Sequence, residues 1–122
     1  VLEFHPDHTE DDLHALLQAT GKAEKLGMVY VETPANPTNA LYDLQMCRRI
    51  ADRYTTPQRR VWMAVDNTYM GPLWQHPLRW GADFSIYSAT KYIGGHSDVI
   101  AGAVCGKNDV MKRVKTLRTF LG

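Results

Sequence analysis

Residues 61–68 read Val61-Trp62-Met63-Ala64-Val65-Asp66-Asn67-Thr68, an unbroken apolar run followed by a polar cluster. A strand that is wet on one face alternates apolar with polar side chains. An unbroken run of this length marks a strand buried on both faces, the situation of a parallel sheet covered by helices. Asp66-Asn67-Thr68 therefore marks the carboxyl end of a central strand.

The flanking pattern agrees. Met28-Val29-Tyr30-Val31-Glu32 is a second β-rich run, ending at Thr33-Pro34-Ala35-Asn36-Pro37-Thr38, where two prolines enforce a turn. Between these strands, Leu41, Leu44, Cys47, Ile50 and Tyr54 recur at helical spacing, followed by a polar loop over 55–60. Thr9-Glu10-Asp11-Asp12 has the form of a capping box, with Asp12 where Glu or Gln is usual. Leu13, Leu16 and Leu17 continue that helix and Gly21 can stop it. Downstream, 71–81 reads as a loop with a short helical turn, and Asp83-Phe84-Ser85-Ile86-Tyr87 as a strand ending at Ser88-Ala89-Thr90-Lys91. Gly94-Gly95-His96-Ser97-Asp98 reads as a tight turn and Val99–Val104 as a further strand. Asn108 is placed to cap a last helix carrying Val110, Val114, Leu117 and Leu121 on one face. Strands alternating with helices predict an α/β fold with a mostly parallel sheet. Residues 1–122 show no repeat and no internal boundary.

The length of 122 residues suits one modest domain. A balance of 14 basic and 13 acidic residues gives no electrostatic reason to expect a nucleic-acid partner. Arg48, Arg49, Arg53, Arg59 and Arg60 read as solvated positions, as do Lys112, Arg113, Lys115 and Arg118. Cys47 and Cys105 lack metal-ligand spacing and sit among apolar residues, as buried reduced thiols do. There is no signal-peptide pattern and no apolar run long enough to span a membrane, so the cytoplasm is the expected compartment. Val1–Phe4 reads as the tail of a strand, and Leu117–Gly122 as a helix still amphipathic at its end. One piece of a longer polypeptide is therefore expected.

Three strands end in polar clusters, at Glu32–Thr38, Asp66–Thr68 and Ser88–Lys91. Ligands of open α/β sheets bind beyond the carboxyl ends of the strands. Asp66 is either a cap on the segment that follows or the counter-ion of a cationic ligand. Lys91, beside the hydroxyls of Ser88 and Thr90, is either a surface lysine or an anion-binding amine able to act as a nucleophile. His96, beside a Gly-Gly turn, reads as a structural hydrogen-bonder first and a catalytic group second, and Glu32, Asp83 and Asp98 read as structural. Trp62, Trp74 and Trp80 read as core or interface residues. No GxGxxG, GxxxxGK[ST] or HExxH occurs, so neither a nucleotide loop nor a zinc protease is supported.

Taken together, Glu32-Thr33-Pro34-Ala35-Asn36-Pro37, Val65-Asp66-Asn67-Thr68 and Tyr87-Ser88-Ala89-Thr90-Lys91-Tyr92-Ile93-Gly94-Gly95-His96-Ser97-Asp98 resemble the Cys/Met metabolism family of pyridoxal-phosphate (PLP) enzymes. The resemblance runs from the helix at Thr9 to the helix after Asn108. It implies the central part of an aspartate-aminotransferase-like (fold type I) large domain, incomplete in this chain. It implies γ-elimination or γ-replacement on a sulfur amino acid, with β-elimination as the alternative. By resemblance Lys91 holds PLP as a Schiff base, Asp66 pairs with the ring nitrogen, and Ser88 and Thr90 bind the phosphate. Thr68 lies against the ring, and Asn36 bonds near the phenolic oxygen or the substrate. A homotetramer built from dimers is implied as well. A glycine-containing phosphate segment, a ring-stacking tyrosine and a substrate-binding arginine of the family have no counterpart here, so the chain alone is not expected to be a competent enzyme. A fragment serving only in assembly and a cofactor-free Schiff-base aldolase are the competing readings. Intact Lys91 and Asp66 weigh against the first, and the Ser88 and Thr90 hydroxyls against the second.

Overall fold

The computed structural model describes residues 1–121. Helix α1 (Glu10–Ala19) starts at the expected capping box: the Thr9 hydroxyl accepts the Asp12 N–H, and the Asp12 carboxylate accepts the Thr9 N–H. Beyond it, Gly21 takes φ +63°, the left-handed conformation that glycine adopts without strain. Strand β1 (Met28–Glu32) leads to α2 (Leu44–Arg53), then β2 (Trp62–Asp66). Two short turns follow, α3 (Gly71–Trp74) and a 3-10 turn at Pro77–Trp80. Strands β3 (Phe84–Ser88) and β4 (Gly102–Gly106) and helix α4 (Asn108–Leu121) complete the chain.

The sheet order is β1-β2-β3-β4; the first two pairings are parallel and the last antiparallel. Val29 and Val31 of β1, with Met63 and Val65 of β2, pack against Leu13, Leu17, Cys47 and Ile50 of α1 and α2. Met63 and Val65 are fully buried, as the apolar run requires. Burial also pushes the Cys47 thiol up to about 11, so it stays a protonated apolar filler at neutral pH. Among the described residues no helix is long and apolar enough to cross a membrane.

Several elements differ from the sequence reading. Helix α2 begins at Leu44 with Asp43 as its cap, whose carboxylate accepts the N–H groups of Gln45 and Met46. Leu41 lies outside the helix and is exposed. Val1–Phe4 forms no strand. Strand β4 starts at Gly102 rather than Val99, because Thr90 binds Ala101 through its backbone and its hydroxyl and holds 99–101 apart from the ladder. Cys105 is exposed, as its position on edge strand β4 allows. Trp74 and Trp80 are exposed as well, whereas Trp62 packs on Phe84. On α4 Val110 is buried, but Leu117 and Leu121 are exposed among the described residues. The end of the expected Leu117–Gly122 stretch, Gly122, lies outside those residues.

Arg48 and Arg60 are not free surface charges. Both pair with Asp83, Arg48 at 3.1 Å, and the Asp83 carboxylate also accepts the Met63 N–H at 2.9 Å. The Asp83 side chain is only 4% exposed. Arg60 also lies over the Trp62 ring, 4.5 Å from its centroid. Asp83 thus ties the start of β3 to α2 and β2, a structural role as expected. Asp83→Ala leaves Arg48 short of its buried partner and is expected to cost about 3 kcal/mol of stability. A urea melt checks this, and a loss below about 1 kcal/mol, the level of an exposed ion pair, would contradict it.

Candidate active site

Because β1, β2 and β3 run in one direction, their carboxyl ends lie side by side, and antiparallel β4 starts at the same edge. Glu32 stands in register with Asp66, and Ser88 with Gly102. A cavity of about 950 Å³ opens there. It is lined by Asn36 from the loop after β1, Asp66 and Thr68 from the end of β2, and Ser88, Thr90 and Lys91 from the end of β3. Every residue singled out in the sequence as a site candidate therefore meets at one place, the strand-end crevice where α/β sheets bind ligands. The volume suits a cofactor-sized molecule, for which pockets run to roughly 300–1,000 Å³.

Local bonds fix these groups. The Thr68 N–H donates to Asp66 Oδ1 at 3.0 Å, an Asx turn that bends the chain as β2 ends. The Thr68 hydroxyl oxygen accepts the Ser88 N–H at 2.7 Å, which pins that turn to the end of β3. Tyr30 donates its hydroxyl to Asp66 Oδ2 at 3.4 Å. Its pKa is raised, first by desolvation and then by the Asp66 charge, so it remains a donor at neutral pH. The Lys91 N–H closes a turn onto the Ser88 carbonyl at 3.0 Å. Among the described residues the Lys91 ammonium has no ion-pair partner. The Thr90 hydroxyl is engaged: it accepts the Ala101 N–H at 2.8 Å and donates to the Ala101 carbonyl at 3.2 Å. Ser88 donates its backbone N–H to Thr68 and lines the cavity.

Glu32 and Asp98, read as structural from the sequence, also line the cavity, as do Val99 and Ile100. Glu32 is there because it ends β1, whereas Asp98, Val99 and Ile100 are there through the path of 97–101, which no local pattern reveals. Tyr69 and Tyr92 stand at the same site in edge-to-face contact, ring centroids 6.1 Å apart. His96 bonds the Gly94 carbonyl at 3.0 Å within its own turn, the structural role expected of it. A second cavity of about 760 Å³ lies along the outer edge of β1 among Leu2, Phe4, Leu13 and Leu17 and brings no catalytic cluster together.

The family model for "Cys/Met metabolism PLP-dependent enzyme" matches residues 3–122. The chain belongs to this family. It is 44% identical over 96 residues to cystathionine beta-lyase of Staphylococcus haemolyticus, a match covering 78% of this chain and 23% of that protein. It is 49% identical over 88 residues to L-methionine gamma-lyase of Treponema denticola, covering 72% of this chain and 21% of that protein. A crystal structure of a methionine gamma lyase from Micromonospora echinospora superposes with a TM-score of 0.71 at 38% identity, covering 79% of this chain and 25% of that one. The chain thus spans about a quarter of the length of these relatives. The fold is that of a PLP-dependent enzyme of this type, represented by its mostly parallel sheet.

The residues present fit the cofactor. PLP carries an aldehyde, a basic ring nitrogen and a phosphate. The cavity lining includes Lys91, whose amine has no ion partner among the described residues, the Asp66 carboxylate already set in an Asx turn, and the hydroxyl-bearing Ser88. Thr90 fits less simply, since a phosphate must compete with Ala101 for its proton. Ser88→Ala is therefore expected to weaken cofactor affinity by roughly 1.5–3 kcal/mol, the worth of a hydrogen bond to a charged group. Thr90→Ala is expected to weaken it by less and also to loosen 99–101. Fluorescence titration with PLP compares the two, and equal retention by wild type and the double variant would contradict the contact.

Proposed function

We propose that this chain forms the central part of the PLP-binding catalytic domain of an enzyme of sulfur amino-acid metabolism. The reaction is γ-elimination or γ-replacement on a sulfur amino acid or an activated homoserine ester. One observation carries this: Asp66, Ser88 and Lys91, from the ends of two adjacent parallel strands, line a single cofactor-sized cavity.

When bound, PLP supplies an electron sink for negative charge at the substrate's α-carbon. Lys91 contributes the amine that holds the cofactor's aldehyde and, once released, takes and returns protons at substrate carbons. Asp66 holds the ring nitrogen protonated, and its own bonds to Thr68 and Tyr30 fix its carboxylate. Ser88, seconded by Thr90, binds the phosphate. Thr68 braces the turn against β3 and would lie against the ring when PLP is bound. Asn36 offers its amide to the phenolic oxygen or the substrate.

The 44% identity to a cystathionine beta-lyase supports β-elimination as the second reading. Incubating the intact protein with methionine, cystathionine and O-acylhomoserine, each with and without a thiol to serve as the incoming nucleophile in γ-replacement, separates them. γ-Elimination yields 2-oxobutanoate from these substrates, whereas β-elimination of cystathionine yields pyruvate. Failure to turn over any of them would overturn the assignment to sulfur amino acids. Leu73, Trp74, Leu78 and Trp80 are exposed on the segment after β2, which supports a homotetramer built from dimers, checked by light scattering. The cytoplasm is the compartment proposed for it.

A further inference from the structure

Behind the cavity wall lies a chain of two side-chain amides, Asn67 buried and Gln75 half-buried. Asn67 is fully buried between Asp66 and Thr68, two residues of the site. Its Nδ2 faces the carbonyls of Gly71 and Gln75, each at 2.9 Å, and the Tyr87 hydroxyl at 3.2 Å. Gln75 Nε2 donates to Asn67 Oδ1 at 2.8 Å and to the Thr33 carbonyl at 2.9 Å. These partners fix both amide orientations, since a flip of Gln75 would set its oxygen against two acceptors.

Thr33 is the root of the loop that carries Asn36. That loop is closed on itself by the Ala35 N–H to the Ala40 carbonyl at 2.9 Å and the Asn39 N–H to the Ala35 carbonyl at 2.7 Å. Its far end is tied back where the Thr33 hydroxyl oxygen accepts the Tyr42 N–H at 3.0 Å. The Asn36 loop is thus a braced unit, and the Gln75 side chain joins its root to the turn that carries Asp66. Gln75 itself does not line the cavity.

We infer that Gln75 is a positioning residue: through Thr33 on one side and Asn67 on the other, it sets the placement of Asn36 relative to Asp66 for the cofactor and substrate between them. This rests on the reading of Asn36 and Asp66 given above. Small displacements matter at such sites, where a shift of about 1 Å costs roughly 10²-fold in rate.

The test uses Gln75→Met, similar in size and without donors, in the intact protein. Two readouts are taken: the pH titration of the visible absorption of bound PLP, and hydrogen–deuterium exchange without cofactor. Gln75→Met is expected to move the titration midpoint in the same direction as Asn36→Ala. The double variant is expected to go no further than Asn36→Ala alone, since the two act on one element. Exchange at Ala35 and Asn39 is expected to quicken roughly tenfold, the equivalent of about one lost hydrogen bond, with β2 amides unchanged. If Gln75→Met does not fold, Gln75→Glu, of the same shape, takes the same readouts. An unmoved midpoint in Asn36→Ala overturns the role given to Asn36 in the proposed function. A moved midpoint in Asn36→Ala with neither readout changed in Gln75→Met overturns the positioning role alone, as do additive shifts in the double variant.

Discussion

Lys91→Ala is expected to lower turnover by at least roughly 10²–10⁴-fold, the range lost when a positioned acid–base group is removed. The same change is expected to end covalent retention of PLP. The two losses are joined because the proposal gives both tasks to one amine, which follows the end of β3. Among the described residues no second lysine lines the cavity. Lys91→Arg is expected to fare no better, since a guanidinium keeps its positive charge at any working pH and can neither add to an aldehyde nor accept a proton. Steady-state kinetics, with circular dichroism to confirm the fold, decides this. Turnover within tenfold of wild type would reduce Lys91 to a surface lysine following a strand.

Asp66→Asn is expected to keep the shape of the site and lose its chemistry. The amide oxygen can still accept the Thr68 N–H that now bonds Oδ1 at 3.0 Å, so the bend after β2 survives. The negative charge does not survive, and a neutral amide cannot hold a ring nitrogen protonated. A fall in kcat of roughly 10²–10³-fold is expected, typical of removing one preorganised electrostatic partner. Some cofactor is expected to remain bound through Lys91 and Ser88. Near-normal turnover would mean that Asp66 serves only as a cap.

The sequence carries the fold wherever one local rule dominates. Val61–Val65 had to be buried on both faces, and Thr9 with Asp12 had to open a helix; the helix opens there, and all of the run but the half-buried Trp62 is buried. The strand-end clusters were legible for the same reason, because polar residues gather where parallel strands leave the core. What was not legible depends on contacts distant in the chain. The apolar run Val99–Val104 has strand character throughout. Only the bonds between Thr90 and Ala101, eleven positions apart, delay β4 to Gly102 and leave Val99 and Ile100 on the cavity wall. Arg48 and Arg60 look like surface charges until β3 brings Asp83 between them. Gln75 gives no signal in its own segment; its partners lie 42 and 8 residues away. Pattern reading weighs neighbours along the chain, whereas these placements come from neighbours across the sheet.

The assignment of Lys91 is tested most directly by borohydride reduction of the intact protein loaded with PLP, followed by peptide mapping. Reduction makes the bond between cofactor and lysine permanent, so the site is read without reference to activity. A single phosphopyridoxyl label on Lys91 is the expected result. A label on Lys107 or any other lysine, with Lys91 unmodified, would contradict it.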